Sequence, residues 1–190
     1  MHAANSLEHR RLRKDRSSHS TDVVIVGAGP YGLSLAAHLR ANACDFQIFG
    51  SPMEMWRKHM PKGMFLKSEG FASSLSEPGG TFTLATFCRE RNIPYGDIGE
   101  PIALETFVEY GLAFQRSFVP NLDERNVYEI ASEFGGFVLR LSDGEIVRAR
   151  NVVLAVGVGC YAYIPPILSQ LPADFVSHTS DVHEVDQFRG

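Results

Sequence analysis

The segment VVIVGAGPYG, residues 23–32, constrains the fold more than any other part of the sequence. A continuous β-branched run leads into three glycines, Gly27, Gly29 and Gly32, with GxGxxG spacing, and a helical pattern follows over residues 30–42. An uninterrupted apolar run of this length is typical of a strand buried on both faces of a parallel sheet. The order strand, glycine loop, helix predicts the opening of a Rossmann-like α/β domain.

Each glycine of the loop has a mechanical reason to be there. Gly27 allows a sharp turn off the strand, Gly29 allows the backbone to approach a pyrophosphate, and Gly32 allows the helix to pack closely. The start of the helix then offers free N–H groups and partial positive charge to phosphates. We therefore predict a dinucleotide site, and the alternative is a glycine turn that is only structural.

The next predicted strand, residues 46–49, ends unusually for such a site. In NAD and FAD sites an acidic residue at this point binds the ribose hydroxyls, but here the chain has Gly50. Two interpretations remain open. Either the site binds a flavin whose ribose is held by Ser51, a backbone group or water, or it binds NADP, with Arg57 or Lys58 near the phosphate.

Composition excludes several other classes of protein. The 190 residues are 44% hydrophobic, which is enough for one sizeable core, and the net charge of -4 gives no reason to expect nucleic acid or membrane as a partner. Three scattered cysteines, Cys44, Cys88 and Cys160, form no closely spaced pair. We therefore expect no metal site and no dithiol centre, and we expect a cytoplasmic protein.

The chain divides into a tail and a domain. Residues 1–20 are polar and basic without apolar periodicity, which predicts a disordered tail, and residues 21–190 form the predicted domain. Residues 51–80 show no sustained period and are predicted to be irregular. Two amphipathic helical patterns follow; their apolar stripes comprise Leu84, Phe87, Cys88 and Arg91 in the first, and Leu104, Phe107, Val108, Gly111, Phe114 and Phe118 in the second.

The period then changes to that of β-structure. Residues 127–131, 137–141 and 145–147 are predicted as three short strands of a β-meander, with glycine-containing turns between them. Residues 151–156 form a further buried apolar strand. The predicted fold class is α/β: a Rossmann-like three-layer domain with a parallel sheet and a small three-stranded meander.

Two further stretches carry a resemblance to a known family. Residues 152–157, Val-Val-Leu-Ala-Val-Gly, followed by Pro165-Pro166, resemble the strand and turn with which two-dinucleotide flavoproteins return to their FAD domain. Together with VVIVGAGPYGLSLAAHL and FGSPMEMWRKHMPKGMFLKS, they make residues 22–190 similar to the flavin-containing monooxygenase and lysine/ornithine N-monooxygenase-like group of FAD/NAD(P)-dependent oxidoreductases.

The resemblance implies which residues bind the cofactor. FAD occupies the first glycine loop in that family, which favours the flavin interpretation of Gly50. The implied cofactor-binding residues are Gly27, Ala28, Gly29, Pro30, Tyr31, Gly32, Gly50, Ser51, Trp56, Arg57, Met64, Leu66, Ser68 and Gly157. For Trp56 and the methionines the alternative is simple core packing.

The resemblance also implies an activity. The chain is similar to the FAD-binding portion of an enzyme that passes hydride from NAD(P)H to FAD and then oxygenates a small-molecule substrate. His178-Thr179-Ser180 and residues 186–190 resemble the lead-in to the NAD(P)H-binding unit of that family, and no second GxGxxG follows. We assign no catalytic residue, since His178 is better explained as a linker or core histidine. The alternatives are an NADP-dependent single-cofactor dehydrogenase and a non-catalytic dinucleotide-binding module; a flavin disulfide reductase is disfavoured because the chain has no cysteine pair.

Overall fold

The structure is a computed structural model in which residues 20–184 are described. Almost all of the tail predicted for residues 1–20 lies outside this range, as do residues 186–190. Within the described residues, the chain forms one five-stranded sheet in the order β2-β1-β5-β4-β3. The strands are β1 (Thr21–Val26), β2 (Phe46–Phe49), β3 (Val127–Glu133), β4 (Gly136–Leu141) and β5 (Ile146–Leu154).

Four helices accompany the sheet in the described part of the chain: α1 (Pro30–Ala41), α2 (Glu54–Lys58), α3 (Leu84–Glu90) and α4 (Leu104–Phe118). The βαβ unit predicted from the glycine loop is confirmed, since β1 pairs in parallel with β2, with Ile25 opposite Ile48. The β-branched run of β1 is continuous, not alternating, because parallel strands are covered on both faces.

One face of the parallel strands is covered by helices. Ile25 and Ile48 point to this side, where they join Leu33 of α1 and Phe107 and Phe114 of α4 in the larger core cluster. The predicted stripe of α4 is largely confirmed, and the structure adds Tyr110, which is completely buried at the centre of the helix.

The other face is covered by the β-meander. Val24 and Phe49 point to this side and form a second core cluster with Leu139 and Leu141 of β4 and with Ala149 of β5. Adjacent residues of a strand point to opposite faces, which is why Val24 and Ile25 belong to different clusters. The predicted three-layer α/β arrangement is confirmed.

The last strand differs from the prediction. The two segments predicted separately, 145–147 and 151–156, belong for the most part to one continuous strand, β5, which ends at Leu154. Its first part pairs antiparallel with β4 and its second part pairs in parallel with β1; Ala149 belongs to both ladders. Polar residues Arg148, Arg150 and Asn151 interrupt the apolar pattern. They do not end the strand because side chains alternate between its faces and the charged ones lie toward solvent.

The segment between β2 and α3 contains little regular structure, as predicted, although residues 54–58 form the short helix α2. It is tied to the core by the hydroxyl of Tyr110, which donates to the Phe82 carbonyl at 2.8 Å and accepts from the Leu75 N–H at 3.0 Å. Among residues 20–184, the helices are all too short or too polar to cross a bilayer.

Candidate dinucleotide site

A cleft of about 590 Å³ lies at the carboxyl ends of the parallel strands. Ligands of open α/β sheets bind at this edge, where the connections on either side of the sheet diverge. The cleft is lined by Val26, Gly27, Ala28, Gly29, Pro30, Tyr31, Phe49, Gly50, Ser51, Glu54, Met55, Trp56, His59, Met60, Asn126, Val127, Ala155, Val156, Gly157, Val158 and Gly159.

The glycine loop is held between its two neighbouring strands. The Gly27 N–H donates to the Phe49 carbonyl of β2 at 2.8 Å, and the Ala155 N–H, just beyond β5, donates to the Val26 carbonyl at 2.8 Å. Gly27 has a positive φ of 110°, and a Cβ there would lie 2.3 Å from the Ala155 carbonyl oxygen. Only glycine fits this turn.

Gly29 is the open point of the loop. Its backbone is extended, and a Cβ built on it would meet no atom within 4 Å. Since Gly29 lines the cleft, this empty space is available to a ligand that approaches the main chain. The role predicted for Gly29, close approach of a pyrophosphate, fits this geometry.

The first turn of α1 presents hydrogen-bond donors to the same place. The first bond of the helix runs from the Leu33 N–H to the Gly29 carbonyl at 2.9 Å, so the N–H groups of Tyr31 and Gly32 precede the intrahelical ladder. Among the described residues, those that line the cleft include no lysine or arginine. An anion bound here would therefore be stabilised by main-chain N–H groups and the dipole of a 12-residue helix.

The wall of the cleft beside β2 is also main chain. The Gly50 N–H donates to the Asp123 carbonyl at 2.9 Å, and the Asp123 N–H donates to the Ile48 carbonyl at 3.1 Å, so the segment before β3 runs alongside the end of β2. This brings Asn126 into the same cleft as Ser51, although the two are far apart in sequence.

A charged cluster fixes that second segment. The Arg125 guanidinium donates to Asp123 Oδ2 at 2.7 Å and to the carboxylates of Asp143 and Glu145 at 2.6 Å each. Hydrogen bonds from Arg125 hold the pKa of Asp123 below its usual range. The pKa of Asp143 is also lowered, mainly by a hydrogen bond from the Glu145 N–H and next by the hydrogen bond from Arg125. The cluster therefore links the cleft wall to the turn between β4 and β5.

Part of the cleft lining is apolar and aromatic. Trp56 of α2 packs edge-on against Phe107, with ring centroids 4.8 Å apart, and it also lines the cleft. Trp56 therefore contacts the core and also borders the cavity. Met55 lies close to Gly159, where a Cβ would come within 2.8 Å of its Sδ. Such polarisable surface suits a large planar ring.

The structure brings most of the predicted site residues together in the cleft, namely Gly27, Ala28, Gly29, Pro30, Tyr31, Gly50, Ser51, Trp56 and Gly157. Gly32 lies behind the loop against Gly27. Four others lie outside the cleft lining. Arg57 donates to the Pro52 carbonyl, Ser68 bonds to Ser73, Leu66 is buried in the helix-side core, and the carbonyl of Met64 accepts from the Leu104 N–H.

The sequence analysis missed several lining residues. Glu54, Met55, His59 and Met60 lie within or beside α2, inside a stretch without periodicity. Asn126 and Val127 come from a different part of the chain. For Glu54 the sequence did carry a signal, since it is the first acidic residue after β2. For Asn126 the sequence carried none, because its position depends on the tertiary contact with Gly50.

No protein-family model and no curated protein sequence matches the chain. Solved structures do. A flavin-containing monooxygenase from Stenotrophomonas maltophilia is 26% identical, with a TM-score of 0.62, over 77% of this chain and 41% of its own. The protein OTEMO in complex with FAD and NADP is 17% identical, with a TM-score of 0.57, over 74% of this chain and 26% of its own.

A third similar structure is the bacillithiol disulfide reductase Bdr from Staphylococcus aureus, which is 16% identical, with a TM-score of 0.55, over 73% of this chain and 39% of its own. At such low identity the last two establish the fold alone, and that fold is Rossmann-like α/β. The chain spans less than half the length of each of these structures.

Proposed function

We propose that this chain is the FAD-binding part of an NAD(P)H-dependent flavoprotein oxidoreductase of the monooxygenase type. The observation that carries the proposal is the main-chain cradle formed by Gly29 and the first turn of α1, which is open to the cleft. The likeness to a flavin-containing monooxygenase at 26% identity supports it. The residues fit the cofactor: the cradle suits a pyrophosphate, and the apolar lining residues suit a flavin ring.

The roles proposed for the residues follow from the chemistry of the groups that line the cleft. The N–H groups of Gly29, Tyr31 and Gly32 would bind the pyrophosphate oxygens. Trp56, together with Met55 and Met60, would shield the flavin from water and present apolar surface to it. Bound FAD supplies hydride acceptance from NAD(P)H and, once reduced, reaction with dioxygen; the protein supplies binding, orientation and shielding.

The oxygenation itself is proposed for the whole protein to which this FAD-binding part contributes. The NAD(P)H site expected from the resemblance, and the substrate site, are proposed to lie in residues other than those of the cleft. The cleft carries no cysteine pair for disulfide chemistry among its described lining residues. We therefore favour the monooxygenase type over the disulfide reductase type.

Titration of the purified chain with FAD, followed by flavin fluorescence, tests the proposal. We expect FAD to bind and FMN, which lacks the adenosine monophosphate part of FAD, to bind at least about 100-fold more weakly, since it forfeits more than 2.7 kcal/mol of contacts. NADP⁺ binding without FAD binding would favour the single-cofactor dehydrogenase. A folded protein that binds neither FAD nor NADP⁺ would contradict the proposal.

A matched pair of variants locates the site. Gly29→Ala adds a methyl group that meets no protein atom, so we expect the fold to be kept and FAD affinity to fall about tenfold or more. Ser117→Ala, on the exposed side of α4, is the control and should leave FAD affinity unchanged. Equal FAD affinity in the two variants would place the pyrophosphate elsewhere.

A further inference from the structure

The end of β2 lacks the acidic side chain that dinucleotide sites normally have there, and its backbone conformation disfavours one. Gly50 has a φ of 124°, which side-chain-bearing residues rarely adopt. A Cβ at this position would lie 3.4 Å from the Ala28 nitrogen and 3.5 Å from the Gly27 Cα. The glycine is therefore part of the cleft's main-chain wall, and ribose recognition must come from another residue.

Two polar side chains lie directly beyond this wall. Ser51 is the next residue along the chain, and Glu54 is the first residue of α2; both line the cleft and both are half-buried. Ser51 offers one donor and two acceptor lone pairs, and Glu54 offers two acceptor oxygens. A ribose diol needs acceptors of this kind for its hydroxyl groups.

The carboxylate of Glu54 has one oxygen to spare. Lys58 Nζ donates to Glu54 Oε1 at 2.8 Å, one helical turn away. Among the described residues, Oε2 has no hydrogen-bond partner. Lys58 thus offsets the charge that would otherwise oppose a nearby pyrophosphate, and the second oxygen is left to accept from a ligand.

The connection that carries both side chains is fixed to the phosphate cradle. At one end the Gly50 N–H donates to the Asp123 carbonyl, and at the other the Met53 N–H donates to the Ala28 carbonyl at 3.0 Å. Met53 itself is completely buried. Residues 51 and 54 therefore keep a constant position relative to Gly29, as recognition of adjacent groups of one ligand requires.

We propose that Ser51 and Glu54 recognise the adenosine ribose of FAD in place of an acid at the end of β2. The contact is thus displaced along the chain, from the last residue of the strand to the start of α2. The inference rests on the proposed function, because the ribose belongs to the cofactor assigned there.

A protein–ligand double-mutant cycle tests the inference. FAD and an FAD analogue with 2′-deoxyadenosine are titrated into the wild-type chain, Ser51→Ala, Glu54→Gln and the control Glu109→Gln, which changes an exposed glutamate of α4. We expect the wild type and the control to bind the analogue about tenfold more weakly than FAD, as the loss of a hydrogen bond to a charged acceptor predicts. Glu54→Gln and Ser51→Ala should bind FAD more weakly and discriminate less between the two ligands.

A second variant separates the ribose contact from the ion pair. Lys58→Met removes the partner of Glu54 but keeps its carboxylate, so discrimination against the analogue should persist. The inference would be overturned if Lys58→Met lost as much discrimination between FAD and the analogue as Glu54→Gln does. It would also be overturned if Ser51→Ala and Glu54→Gln discriminated between the two ligands as well as the control does. FAD binding by the wild type with unchanged discrimination in the variants overturns only this inference; no FAD binding by the wild type overturns the proposed function as well.

Discussion

The carbonyl oxygen of Gly27 occupies the space that a side chain on Gly32 would need: a Cβ on Gly32 would lie 2.0 Å from that oxygen. The same Cβ would be 3.5 Å from the Cβ of Ala155, just beyond β5. The first turn of α1 is thus packed directly on the glycine loop. This contact places the helix N-terminus at the edge of the cleft.

We predict from this contact that Gly32→Ala unfolds more readily than the wild type. The clashing atom belongs to the backbone, which cannot turn aside as a flexible side chain could. We expect a loss of about 3 kcal/mol or more in the free energy of unfolding, at the upper end for overpacked cores. Urea denaturation followed by circular dichroism measures it. Gly29→Ala, which adds the same atom to open space, is the matched control and should unfold like the wild type.

Tyr110→Phe is predicted to destabilise the segment between β2 and α3. The hydroxyl is completely buried, and burial raises the pKa of Tyr110 to about 12, so it remains a donor at neutral pH. Its removal leaves the Phe82 carbonyl and the Leu75 N–H without this partner. We expect a loss of about 1–3 kcal/mol in the free energy of unfolding.

Tyr95→Phe is the control for Tyr110→Phe. The Tyr95 hydroxyl donates to Asp97 at 2.8 Å in a more exposed setting, where water can replace the lost partner. Its removal should cost less than that of the Tyr110 hydroxyl in the same urea denaturation experiment. Equal losses in the two variants would show that the Tyr110 hydroxyl is not needed to hold the segment.

Glu77→Gln is predicted to make stability less dependent on pH. The buried Glu77 carboxylate accepts from the N–H groups of Phe82, Thr81 and Gly79, and the bond from Phe82 is the largest cause of a pKa lowered from the ordinary 4.5. A lowered folded-state pKa adds stability that is present above pH 4.5 and is lost as pH falls through the folded-state value.

The measurement is the thermal midpoint of both proteins between pH 3 and pH 7, a range set by the ordinary carboxyl value of about 4. At neutral pH the glutamine should lower the midpoint by a few degrees, because its NH₂ group would face the Gly79 N–H. The difference between the thermal midpoints of the two proteins should narrow as the pH falls and the wild-type carboxylate is protonated. A difference that stays constant down to pH 3 would mean that Glu77 does not cause the pH dependence of stability.

The elements that follow from local chemistry could be predicted from the sequence. The loop from Gly27 to Gly32 and the helix opened by Pro30 depend on neighbours in the chain, and the structure places them as expected. The cleft's second wall could not be predicted. Asn126 reaches the cleft only because the main chain of Asp123 pairs with that of Gly50, which is a tertiary contact with no local pattern.

The middle segment shows a different reason for the limits of prediction. Leu66 and Trp56 both belong to a Met- and aromatic-rich stretch, and composition alone does not tell a core residue from a cleft residue. The structure buries Leu66 in the helix-side core, whereas Trp56 lies between that core and the cleft. Trp56 packs against Phe107 of α4, a tertiary contact that periodicity in an irregular stretch does not reveal.

Gly50→Glu is predicted to harm the site rather than restore the acid found at this position in other dinucleotide sites. A side chain must adopt the φ of 124°, at a cost of about 1–3 kcal/mol in the free energy of unfolding. Its Cβ would also lie against the Ala28 nitrogen, inside the phosphate cradle. We therefore expect weaker FAD binding as well as lower stability.

Gly99→Ala separates the two effects of Gly50→Glu. Gly99 has a φ of 81° and open space around it, so this variant carries backbone strain without touching the cleft. It should lose stability by a similar amount and keep its FAD affinity, whereas Gly50→Glu should lose both in parallel urea and fluorescence titrations. Tighter FAD binding by Gly50→Glu would show that the loop yields to the new side chain and that a carboxylate at the end of β2 still reaches the ribose. The displaced contact through Ser51 and Glu54 would then be unnecessary.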